Sequence, residues 1–200
     1  MKTPLHYQMT EYDCGPITVM NAIIYLFERE QIPPDLIRNI MLYCLDGYGA
    51  EGAPGKSGTT RAAMMFLSNF LCSFGRTGQL EISSRYLSGS CVRVSQNSSV
   101  TDCLRRGGAV VVRLYLLEDP HYILLTGVDE ERIYAFDPYL LEEPLPEEFP
   151  PPEEPPSEGF CVGAGVAVPG AGVPPHTSAV GSGFTGGSVA SGVEAGASVG

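Results

Sequence analysis

The sequence predicts an α+β domain with helices first and sheet second, and three observations carry that prediction. Apolar residues at helical spacing dominate the chain up to Ser73. After Gly78 the pattern shortens to strand-like runs separated by turn residues. Beyond Leu141 neither pattern persists, so the domain is expected at 1–141, with residues 142–200 as a biased tail. Helical runs followed by strand runs suit helices packed against an antiparallel sheet.

The first helix opens at Asp13-Cys14-Gly15-Pro16. Ile17, Met20, Ile24 and Phe27 recur at helical spacing, and Val19, Ile23 and Leu26 widen the stripe. A helix apolar over so much of its circumference belongs in a core. Asp13 can cap or complement its N-terminus, and Pro16 suits the first turn. Pro33-Pro34-Asp35 opens a second helix carrying Leu36, Ile37, Ile40, Met41 and Cys44. Gly47 to Gly58, with five glycines and a proline, reads as a loop. Thr59 or Thr60 then caps a third helix from Arg61 to about Ser73.

In the second half, Leu80-Glu81-Ile82 and Cys91-Val92-Arg93-Val94 read as short strands. Ser99 to Arg106 reads as a short helix, capped by Ser98 or Ser99 and closed by Gly107-Gly108. Three clearer strands follow: Ala109–Leu117, Tyr122–Val128 and Arg132–Phe136. The polar turn Asp129-Glu130-Glu131 makes the last two a hairpin.

Charge is uneven along the chain. Of the formal −11, residues 1–141 account for −3, with 15 of the 23 acidic residues and all 12 basic ones. The remainder holds 8 Glu, 10 of the 17 Pro and 12 of the 24 Gly. Glu142 to Glu158 is Pro/Glu-rich, and Gly159 to Gly200 is Gly, Ala, Val and Ser without a sustained period. Such composition buries too little apolar area to offset chain entropy, so disorder is expected throughout the tail. The near-neutral domain offers no basic excess for phosphate backbones, which excludes nucleic acid as an expected partner. No apolar run reaches the ~20 residues of a bilayer span; the longest, Ala109 to Leu117, is interrupted by Arg113. The first 30 residues lack the pattern of a signal peptide, so the expected location is the cytoplasm.

Six cysteines at positions 14, 44, 72, 91, 103 and 161 have irregular spacing and no CxxC, and are expected as free thiols. His6, His121 and His176 are too scattered for a zinc site, and no cofactor is expected. Gly55-Lys56-Ser57 echoes a phosphate loop, but Ala50 occupies the required first glycine position and no strand precedes it.

Cys14 stands where a thiol is most easily activated. A helix N-terminus presents free N–H groups and a positive dipole end, which favour the thiolate, and a neighbouring imidazolium lowers a thiol pKa further. His121 starts one strand of the predicted hairpin and Asp137 ends the other, so the fold-back brings them to one end. An acid there can orient an imidazole and stabilise its charged form. Gln8, on the segment entering the helix, has an amide able to donate to an oxyanion beside the Cys14 N–H. Tyr7, Tyr12, Tyr122 and Tyr139 lie close in sequence to these residues, as cleft lining or core packing. Cys44, Cys72, Cys91 and Cys103 read as core thiols.

Gln8, Cys14-Gly15, His121 and Asp137 follow the chain order of papain-like cysteine peptidases. More narrowly, Tyr12-Asp13-Cys14-Gly15, Pro120-His121-Tyr122-Ile123-Leu124 and Phe136-Asp137-Pro138-Tyr139 resemble the C39 peptidase family, over about residues 5–140. That family includes domains that trim double-glycine leaders as well as stand-alone proteins. The resemblance implies a papain-like fold, a peptide or protein substrate, Cys14 as nucleophile, His121 as general base and then acid, Asp137 as orienter and Gln8 as oxyanion donor. It also leaves open an acyltransferase on the same residues, or a non-catalytic peptide-binding module that keeps only the cleft. In such folds ordered chain commonly continues after the Asp-Pro turn. Here Leu141 passes directly into the Pro/Glu stretch.

Overall fold

A computed structural model describes residues 4–95, 97–116, 119–130, 132–139 and 158–164. The helices are α1 (Cys14–Leu26), α2 (Pro34–Cys44), α3 (Arg61–Gly75) and α4 (Ser99–Arg105). The strands are β1 (Ile82–Ser88), β2 (Ala109–Leu116), β3 (Asp119–Val128), β4 (Ile133–Phe136) and β5 (Glu158–Ala164). They form one sheet in the order β1-β5-β2-β3-β4, and every neighbouring pair is antiparallel. The predicted α+β layout is therefore present. Among the described residues no helix is long and apolar enough to cross a membrane.

The apolar width of α1 explains its place. Cys14 through Val19, with Asn21, Ala22 and Ile23, are buried, and the helix packs on β2 and β3. Two of its polar groups are satisfied across the layers: Thr18 Oγ1 donates to the Tyr122 carbonyl at 3.0 Å, and Asn21 exchanges two 2.8 Å bonds with the His6 backbone. One core is shared by α1, α2, α3, α4 and the sheet, with Ile23, Leu36, Ile40, Met64, Leu67 and Leu124 fully enclosed.

Local signals resolve as side-chain chemistry. Of the two threonines before α3, Thr60 is the cap: its Oγ1 accepts from Ala63 N at 3.1 Å and donates to Asp46 at 2.7 Å. Thr59 is buried instead. Ser98, not Ser99, caps α4 in a reciprocal box with Thr101. Gly107, at φ 80°, then turns the chain as expected of a helix stop. Asp13 makes no side-chain cap to α1. Its carboxylate faces back along the chain and accepts from Met9 N, Thr10 N and Thr10 Oγ1 at 3.2, 2.9 and 3.1 Å.

Three expectations need correcting. The strand expected at Leu80–Ile82 runs from Ile82 to Ser88, since Ser84 is buried against Ser68 hydroxyl to hydroxyl at 3.0 Å rather than exposed. Cys91–Val94 is no strand: Gly89–Cys91 is a 3-10 turn entered by Gly89 at φ 55°. The boundary at 141 also fails. Residues 158–164, assigned to the disordered tail, form β5 between β1 and β2, paired from Ile82↔Ala164 to Ser88↔Glu158 on one side and Ala109↔Val162 to Arg113↔Glu158 on the other. Without β5 the inner edges of β1 and β2 would each lack a ladder partner. Phe160-Cys161-Val162 has the composition to supply one. The disorder expected for the rest of 142–200 lies outside the described residues.

Candidate active site

The open end of the β3–β4 hairpin sits beside the start of α1. His121 lies near the beginning of β3, opposite Leu114 of β2, and Asp137 follows the last residue of β4. His121 Nε2 and Asp137 Oδ1 are 2.7 Å apart. Their side chains are only 9% and 22% exposed, so the bond is shielded from water on most sides. Asp137 is itself held: the same oxygen accepts from Tyr139 N at 2.8 Å. The Tyr139 ring stands edge-on to His121, with centroids 6.4 Å apart.

With Nε2 turned to Asp137, Nδ1 is the ring nitrogen left over, and Cys14 lies near enough to the imidazole to favour its charged form. Burial works against an imidazolium here. The bond to Asp137, the bond to Cys14 and the charges of both outweigh it, and the His121 pKa is raised from 6.5 to about 9. The site therefore favours a protonated imidazole at neutral pH, between a carboxylate and a sulfur.

Cys14 is the first residue of α1 and is buried. The N–H groups of Cys14 and Gly15 precede the first intrahelical bond, from Ile17 N to Asp13 O at 3.1 Å. Such groups are available to an anion in front of the helix. Cys44, buried at the end of α2, is the contrasting thiol. Burial, the largest cause, pushes its pKa up, and the nearby charge of Asp46 pushes the same way. It remains a neutral core thiol, as expected from the sequence.

Gln8 is brought to the same place by its backbone, whose N–H donates to Pro138 O at 2.8 Å, next to Asp137. Its side-chain amide donates to Thr10 O at 2.9 Å, which leaves the second Nε2 hydrogen for another acceptor. Its Oε1 is buried without a partner among the described residues. The turn that carries Gln8 is the one gathered by the Asp13 carboxylate. The hairpin end thus joins His121 and Asp137 by direct contact beside Cys14, while Gln8 is tied to the rim through Pro138 and Thr10.

Sequence reasoning missed the structural work of Asp13 and Thr59. The signal for Thr59 is Gly15: an ideal Cβ built there would lie 2.1 Å from Thr59 Oγ1, so glycine marks a close approach beside Cys14. The glycine-rich loop also borders this region, with Lys56 Nζ 4.9 Å above the Tyr12 ring. The cysteines described, at 14, 44, 72, 91 and 103, are all free thiols. Among the described residues no group of three His, Cys, Asp or Glu is placed to hold a metal ion. No protein-family model matches this chain, and no curated protein matches it.

Proposed function

We propose that the protein is a cysteine peptidase of papain-like, C39-like type. One observation carries this reading: a buried imidazole bonded to the Asp137 carboxylate lies beside the Cys14 thiol at a helix start. In the reaction, the Cys14 thiolate attacks the carbonyl carbon of a peptide bond. The resulting oxyanion accepts hydrogen bonds from the helix-start N–H groups and from Gln8. His121, held protonated by Asp137, gives its Nδ1 proton to the leaving amine, and the C–N bond breaks to leave a thioester. Water then attacks the thioester with His121 as base, which releases the acid and restores the thiol.

The test is Cys14-specific alkylation across pH, followed by peptide turnover. Cys14 is expected to react with iodoacetamide well below pH ~8.5, the range of an ordinary thiol, and His121→Ala is expected to remove that excess. If Cys14 reacts like Cys91, the peptidase reading fails. Turnover with added amine separates hydrolysis from acyl transfer: free acid as the main product supports the peptidase, and an amide product replaces it with an acyltransferase.

A further inference from the structure

Several buried contacts next to the site take no part in the chemistry just described. Tyr122 follows His121 on β3, and its carbonyl and its phenol both reach the opposite layer. Its carbonyl accepts from Thr18 Oγ1 at 3.0 Å, one helical turn beyond Cys14. Its phenol donates to the Thr59 carbonyl at 3.3 Å. Thr59 in turn presses its side chain onto the backbone of Gly15: an ideal Cβ at that glycine would meet Oγ1 at 2.1 Å and Cβ at 2.6 Å. Thr18, Tyr122 and Thr59 are all buried. The chain of contacts starts beside the imidazole and ends beside the sulfur, with a second branch returning to the same helix.

We propose that Tyr122, Thr59 and Thr18 are positioning residues, a brace that fixes the start of α1 against β3 and so sets the reach between Cys14 and His121. The inference rests on the thiol–imidazole reading of the site. Neither Tyr122 hydrogen bond is needed to fill the core, since phenylalanine at 122 and valine at 18 would fill nearly the same space. What the two bonds add is direction. A helix resting on a sheet through apolar contacts alone can slide by fractions of an ångström at little cost. Two hydrogen bonds at separate points oppose that slide. Gly15 completes the brace, because any side chain there would lift the helix off Thr59.

Besides Asp137, the ionisable groups flanking the pair are Asp13 ahead of α1, Cys44 at the end of α2, Asp46 after it and Tyr139 beyond β4. Tyr122→Phe and Thr18→Val leave all of them in place. The test measures two quantities on the full chain: the ratio of Cys14 carbamidomethylation rates at pH 6 and pH 10, and the His121 ring titration by NMR with Cys14 present or replaced by Ser. Loosening the pair is expected to lower the Cys14 carbamidomethylation rate at pH 6 by about three- to tenfold. That is the loss expected in Tyr122→Phe, with the pH 10 rate within about twofold of wild type because the thiol is then ionised without help. Thr18→Val is expected to act in the same direction, and Thr18→Ser to retain wild-type behaviour. Should one variant not fold, the other carries the test.

An unchanged pH 6 to pH 10 ratio in both folded variants overturns the brace and reduces these residues to packing. If Cys14→Ser does not move the wild-type His121 titration, there is no coupling to hold, and the brace falls together with the site. Coupling that responds to the brace variants, in a protein that turns over no peptide, supports the brace and overturns the peptidase reading alone.

Discussion

The β3–β4 hairpin carries a carboxylate hydrogen bond at each end, and the two ends differ in everything but length. At the turn, the Tyr134 hydroxyl donates to Asp129 Oδ2 at 2.7 Å, and Tyr134 is 53% exposed. At the open end, His121 and Asp137 are also 2.7 Å apart, but both are largely buried. In water a polar pair exchanges solvent bonds for mutual ones at little net gain. Under burial the same distance decides which protonation state the imidazole keeps. A shallow cavity of about 630 Å³ lies at the turn end, lined in part by Tyr25, Arg105, Thr126 and Tyr134. The turn end is therefore concave, while the open end holds the buried imidazole–carboxylate pair.

The largest break in that asymmetry is expected from Asp137→Asn. The substitution keeps the side chain's shape but removes the charge that holds His121 protonated and oriented. Peptide turnover is expected to fall by about two to four orders of magnitude, by comparison with loss of the acid in other triads. His121 should titrate well below the value of about 9 it has in the native site. A variant that keeps near-native turnover would show that the carboxylate does no work at this end.

Gln8→Ala is expected next, with a loss of about 10²–10³ in kcat and little change in the pH 6 alkylation of Cys14. The split matters because Gln8 is tied to the rim through Pro138 O rather than to the thiol. If alkylation falls in step with turnover, Gln8 supports the pair instead of the oxyanion.

A pH titration sharpens the comparison without any substitution. The folded-state pKa of His121 is raised above its ordinary value, from 6.5 to about 9. Its contribution to stability is thus fully present below pH 6.5 and is lost as pH rises through about 9. Peptide turnover should show an alkaline limb in the same region, because deprotonated His121 cannot supply the leaving amine. Chemical denaturation at pH 6 and pH 10 measures the first effect and kcat/KM profiles measure the second. Asp137→Asn should move both to lower pH together.

The parts of this asymmetry that were legible in the sequence are local ones. Cys14 at a helix start, and His121 and Asp137 at the two ends of a fold-back, follow from apolar spacing and one polar turn. The role of Asp13 was not legible, because an acid before a helix reads as a cap, while here three donors of the preceding turn claim its carboxylate. β5 was missed for a non-local reason. Glycines flank a short apolar run in a chain that otherwise lacks period, and only the unfilled space between β1 and β2 makes that run a strand. Thr59 was equally hidden, since its partner is a backbone reached from a loop far along the chain.

The smallest expected effect is the control on which the comparison depends. Tyr134→Phe removes a hydrogen bond of the same length as the one at the reactive end, on the same hairpin, to the same kind of acceptor. If length were what mattered, its loss would be felt as strongly as that of Asp137. Water replaces the lost bond at this exposed position, and the Asp129 carboxylate keeps its bond from Arg132 N at 2.7 Å. Turnover within about twofold of wild type and an unchanged melting temperature are therefore expected, as for most surface substitutions. A large loss would mean that the hairpin transmits strain from its turn to its open end. In that case the two ends would form one functional unit rather than a reactive end and an inert one.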